Sequence, residues 1–163
     1  MPRTTFDVLP PHARLWIFAA ERPLSSRERD YMLQTVDAFL ERWQAHGHPL
    51  TSARELRYDR FLFIGVDESA SGASGCSIDA LLRDVKDVES TLGLSLVDHS
   101  PVLFRDGEQI VRLPREEFAE RARAGAVTPD TVVFNNTLTR VADLAASKWE
   151  GPASRSWHGA AFF

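Results

Sequence analysis

Residues 60–82 read RFLFIGVDESASGASGCSIDALL. An apolar run gives way to a Ser/Gly-rich segment and then to apolar residues spaced by three and four, which reads as strand, loop, helix. In the strand, Phe61, Phe63 and Gly65 alternate with Leu62, Ile64 and Val66, so both faces are apolar. Upstream, RLWIFAA (14–20) repeats the pattern, with Leu15, Ile17 and Ala19 alternating with Trp16, Phe18 and Ala20. Two strands covered on both sides are therefore expected.

Between them, Ser25 followed by Glu28 makes a capping box. Met32, Val36, Phe39, Leu40 and Trp43 then recur at helical spacing and Gly47 supplies a stop, which predicts a helix over 26–46. SARELRY and RFLFIGV are expected to pair through a tight turn around Asp59. Beyond the Ser/Gly segment, Ile78, Leu81, Leu82, Val85, Val88 and Leu92 mark a second amphipathic helix ending at Gly93. PVLFRDGEQIVRL reads as a hairpin turning at Asp106-Gly107. PREEFAERARAG has acids at its start and arginines before its final glycine, a short helix matched to its dipole. TVVFN (131–135) is a last strand, and Thr139 caps a short helix before a Trp-rich tail. The order predicts one α+β domain over residues 1–163: a split βαβ, ferredoxin-like (βαββαβ) core with an added hairpin strand, short helix and C-terminal strand and tail.

In that fold helices cover one sheet face, so something must cover the other. Trp16, Phe18, Phe61 and Phe63 are the candidate interaction face, met by the tail, by a second copy in a homodimer, or by a protein or small-molecule partner. The same element order carries stacking aromatics in RNA-recognition motifs, and RFLFIGV loosely follows that spacing. The basic-Gly pair of that signature is missing. With 19 Lys+Arg against 23 Asp+Glu the net charge is −4, which argues against nucleic acid and anionic membranes as partners. The apolar runs LWIFAA and FLFIGV are too short to span a bilayer, and a single cysteine fits a reducing, cytoplasmic setting and excludes a Cys-based zinc site.

The Ser/Gly segment lacks the G-x-x-x-x-G-K-[ST] phosphate loop, the G-x-G-x-x-G fingerprint and the G-x-S-x-G elbow, so no cofactor is expected. Cys76 in the first turn of a helix is a candidate nucleophile, and His99, within Asp98-His99-Ser100 before a strand, is the candidate base among five histidines. The alternative makes Ser74 or Ser77 the helix cap and Cys76 a quiet small residue. His46-Gly47-His48 has the spacing of two metal ligands, and Asp67, Glu68 and Asp79 form an acidic group; a helix end and solvated caps account for them, and no metal is expected. Asn135-Asn136 suits backbone bonding after a strand. The final Phe162 and Phe163 are expected to dock.

ARLWIFAAERPL, FLFIGVDE, SGCSID, TVVFNN, WEGPASRSW and the terminal Phe-Phe together resemble, over essentially the whole chain, a family of uncharacterised bacterial proteins of about this length, often labelled "ABC transporter ATPase". The chain lacks the phosphate loop, its lysine and the length which that label implies. The resemblance brings no activity with it, but it directs attention to Asp67, Glu68, Ser74, Gly75, Cys76, Ser77, Asp79, Asn135 and Asn136. Three functions follow as expectations: a non-enzymatic binding or assembly domain, a thiol-dependent enzyme using Cys76 with a histidine, and an RNA binder.

Overall fold

The computed structural model describes residues 3–69 and 75–163. It is a mixed α+β structure whose residues gather into two compact units: the first ends at Val97 and takes in Thr139–Ala142, the second comprises Asp98–Leu138 and Asp143–Phe163.

The first unit contains β1 (Arg3–Thr4), β2 (Arg14–Ala19), α1 (Ser26–Arg42), β3 (Gln44–Ala45), β4 (His48–Pro49), β5 (Thr51–Arg57), β6 (Phe61–Asp67) and α2 (Gly75–Leu92). Its main sheet runs β1-β5-β6-β2, with the β5–β6 and β6–β2 pairs antiparallel and β1 parallel to β5. α1 opens on the expected capping box: Ser25 Oγ accepts from the Glu28 amide at 3.2 Å and Glu28 Oε1 from the Ser25 amide at 2.9 Å. The Arg22 guanidinium, bonded to both Glu28 oxygens at 2.8 Å, leads in holding that carboxyl down at about 2. α1 stops at Arg42, short of the expected 46, because Trp43 turns extended and the chain folds into the β3–β4 ribbon.

α1 and α2 bury Met32, Val36, Leu40, Leu81, Val85 and Val88 against one sheet face. Each such side chain contributes about 1.5–3 kcal/mol. The strand register decides what that face contains. Trp16 pairs with Ile64 and Phe18 with Leu62, whereas Phe63 pairs with Ile17 and Phe61 with Ala19. Paired residues share a face, so Trp16 and Phe18 lie on the helix side and Phe61 and Phe63 on the other. The expected face of four aromatics does not exist, and Phe18, Phe61 and Phe63 are buried within the single chain. Over Gly65 the second face is closed by Phe6 and Leu9: a Cβ there would stand 2.6 Å from Leu9 Cδ1 and 3.1 Å from the Phe6 ring.

Among the described residues no full strand lies beside the outer edge of β2. The Ala19 and Glu21 amides donate to the Leu96 and Ser95 carbonyls, and the Leu15 amide to Thr139. Glu89 holds the 96–97 backbone by accepting from both amides, at 2.6 and 2.8 Å.

The second unit contains β7 (Val102–Asp106), β8 (Gln109–Leu113), α3 (Arg115–Arg123), β9 (Val132–Phe134), the end of α4 (Val141–Ala145), β10 (Glu150–Pro152) and α5 (Trp157–Phe162). The β7–β8 hairpin forms as expected but belongs to a separate sheet, ordered β10-β9-β7-β8, and not to the sheet of β2 and β6. Its register pairs Asp106 with Gln109, so the turn dipeptide is Gly107-Glu108, one residue later than expected; Gly107 takes the positive φ of 63°. α3 ends in a Schellman motif, the Gly125 amide donating to Ala122 at 3.1 Å and the Ala126 amide to Arg121 at 2.8 Å. Phe118 centres the core with Phe104, Val102 and Val133. Phe162 docks on Phe118 with centroids 4.9 Å apart, while Phe163 stays 44% exposed.

Candidate functional site

The site builds from the end of α1. The two-residue turn between β3 and β4 is His46-Gly47, with φ of 53° and 79°; two successive positive values fit a type I′ hairpin, which matches strand twist. The Leu50 amide closes the ribbon on the Trp43 carbonyl at 3.0 Å. Trp43 is 2% exposed, packs on Phe39 at 5.4 Å, and donates its indole N–H to the Ser77 carbonyl at 2.9 Å. That bond ties the first turn of α2 to the end of α1.

An open cleft of about 280 Å³ lies where the two helices meet, bordered by Arg42, Trp43, Gln44, His46, Cys76 and Ser77. Cys76 and His46 are exposed, and among the described residues neither has a hydrogen-bond partner. The Arg42 guanidinium stacks over Phe39 at 5.4 Å and reaches within 3.9 Å of Asp84 Oδ1. Asp84 is buried on α2, and its Oδ2 has no hydrogen-bond partner among the described residues. Burial raises its pKa to about 6, Arg42 opposes the rise and Asp87 adds to it. The cleft thus presents a thiol, an imidazole and a cation, with a buried carboxylate behind the cation.

The two residues of the expected Cys76–His99 pair belong to different units. His99 is an exposed residue of the second unit, in a turn where Asp98 Oδ1 accepts from the Ser100 amide and hydroxyl at 3.0 and 2.7 Å. Cys76 belongs to the first unit, and the histidine that shares its cleft is His46. His46 is legible as the first half of a His-Gly turn before Pro49, once the helix is allowed to end at Arg42.

Other expected residues take structural roles. Asp67 Oδ1 accepts from the Ser69 amide at 2.9 Å and hydroxyl at 2.6 Å, bonds that hold its carboxyl below the usual range. His12 Nε2 is 2.8 Å from the same hydroxyl and 3.7 Å from Asp67 Oδ1. Carboxylate and imidazole both converge on the serine, so the carboxylate does not orient the far ring nitrogen as in a catalytic triad. Glu68 pairs with Arg14 at 3.6 Å. Gly75 opens α2, and Ser77 lies buried inside the helix, so it is not the cap; Ser74 lies outside the described residues. Asp79 is exposed. In the second unit Asn135 accepts from the Thr137 amide at 3.1 Å, fixing the turn backbone, and Asn136 accepts from the Trp149 indole N–H at 2.9 Å, a bond between side chains. Among the described residues no three of His, Cys, Asp and Glu lie close enough to hold a metal ion, and no helix is long and apolar enough to cross a membrane.

No protein-family model matches the chain, and no curated protein or solved structure does either.

Proposed function

We propose that this chain is a non-enzymatic binding domain, not an ATPase, whose ligand occupies the Cys76 cleft. The supporting observation is that Arg42, His46 and Cys76 border one open cleft while no described group orients His46. A base that activates a thiol needs such an orienting partner. Disulfide capture of small thiol-bearing fragments tests the reading, because the exposed Cys76 reports what the cleft accepts. A shaped cleft selects a few fragments, and Arg42→Gln loses that selection. Indiscriminate capture by both proteins would overturn it.

The second reading, a thiol-dependent enzyme, draws support from the same shared cleft, with His46 in place of His99. It expects His46→Ala to slow iodoacetamide alkylation of Cys76 at pH 7 by about fivefold or more; an unchanged rate favours the binding domain. An RNA platform lacks its stacking rings, since Phe61 and Phe63 are both 0% exposed.

The classification of the first unit as ferredoxin-like is part of the proposal. Its support is the antiparallel order β5-β6-β2 with α1 and α2 as crossovers, and Leu94–Val97 running where a fourth strand would lie. Membership in the family of small bacterial proteins rests on the sequence resemblance, and a cytoplasmic location on the lone cysteine. A homodimer is proposed without the aromatic face as its interface; monomer mass by light scattering at high micromolar concentration would end that proposal.

A further inference from the structure

The second unit holds a larger cavity, of about 340 Å³, walled in part by the WEGPASRSW stretch (149–157). Small-ligand sites run from roughly 300 to 1,000 Å³. Its wall is almost one continuous stretch, residues 146–156, with Val133 of β9 closing the back.

The charges of the lining are unbalanced. Glu150, its carboxylate, is engaged by Arg105, whose Nε donates to Oε2 at 2.7 Å. Two cations remain. Lys148 Nζ meets Asp143 at 3.3 Å in a largely exposed pair, of a kind that contributes about 0–1 kcal/mol and exchanges readily for a ligand. Arg155 has no ion-pair partner among the described residues.

Ser156 is also a lining residue, and its Oγ is 2.7 Å from Nδ1 of His158. His158 is 1% exposed, and burial, with the Arg115 charge second, lowers its pKa to about 4. At neutral pH the ring therefore carries one proton. With that proton on Nδ1 and donated to Oγ, the hydroxyl's own hydrogen is available to another acceptor.

We propose that this cavity binds a small organic anion, a carboxylate or a phosphate monoester, with Arg155 and Lys148 meeting its charge and the Ser156 hydroxyl donating to its oxygen. The planar guanidinium of Arg155 suits two-point contact with either group. This site is separate from the Cys76 cleft and does not depend on it.

Titration of the full chain with phenyl phosphate and with benzoate, at constant ionic strength and followed by amide NMR, tests the proposal. Saturable shifts at Ser147, Gly151 and Ser156 are expected, and the anion that binds more tightly identifies the group. Arg155→Gln should weaken binding about tenfold, Arg155→Lys less, and Ser156→Ala about threefold. Arg123→Gln, at the exposed end of α3, should leave it unchanged. Because Arg155 is exposed, its variants should keep the native spectrum. Absence of saturable shifts with both anions, or equal weakening by Arg155→Gln and Arg123→Gln, would overturn the site.

Discussion

Replacing Asp84 by asparagine should stabilise this protein at neutral pH. Asp84 lies in the first unit with its side chain 10% exposed, Oδ2 without a hydrogen-bond partner among the described residues, and its nearest cation, Arg42, at 3.9 Å, too far for a hydrogen bond. Folding moves the carboxyl from 3.8 to about 6, a cost of about 3 kcal/mol for the ionised form at about 1.36 kcal/mol per tenfold change in proton affinity. Because the folded-state pKa lies above the unfolded one, the folded protein holds the proton more tightly. Stability from this group is fully present below about pH 4 and is lost as pH rises through about 6. Asparagine removes the charge but keeps an amide that also lacks a full set of partners, so the net gain is about 1–2 kcal/mol at pH 7.5. The gain should vanish near pH 4. Urea unfolding of both proteins at a series of pH values measures it as a difference curve, in which the other carboxylates cancel. Arg42→Gln should destabilise more in the wild type than in the Asp84→Asn background at pH 7.5, because only the stacking on Phe39 remains to be lost in the latter. Equal stability of the two proteins at pH 7.5, or a difference that does not change between pH 4 and 7.5, would refute the reasoning.

Gly65→Ala should destabilise by about 1–3 kcal/mol through overpacking against Leu9 and Phe6, and Leu9→Ala in the same chain should recover part of that loss, read by thermal unfolding. Gly159→Ala meets backbone instead, with the Ala153 carbonyl oxygen 2.8 Å from the new Cβ, so it should loosen α5 and speed C-terminal proteolysis. Trp43→Phe deletes the buried bond to the Ser77 carbonyl, costing about 1–2 kcal/mol, and should change the rate at which Cys76 is alkylated. His158 has the opposite sign to Asp84: its folded pKa of about 4 lies below the unfolded value, so stability is lost as pH falls from about 6.5 through about 4. His158→Gln should flatten that acid limb in denaturation curves.

Much of the local structure was legible in the chain. The Ser25–Glu28 box, the stop at Gly93 and the left-handed Gly125 act within a turn or two of their own positions, so their spacing is sufficient. The β7–β8 hairpin was likewise readable as a hairpin. Its sheet was not, because pairing with β9 joins residues distant in sequence. The candidate cleft was half legible: Cys76 stood out as a thiol opening a helix, whereas His46 was hidden by carrying the helix past Arg42.

The amino-acid sequence by itself determined that β2 and β6 would be apolar on both sides, since alternation is a property of each strand alone. Only the tertiary structure decided which side of one joined which side of the other. Register slips in steps of one residue, and each step exchanges the faces. Ile17 opposite Phe63, with Trp16 opposite Ile64, therefore put two aromatics beneath the helices and two on the far side.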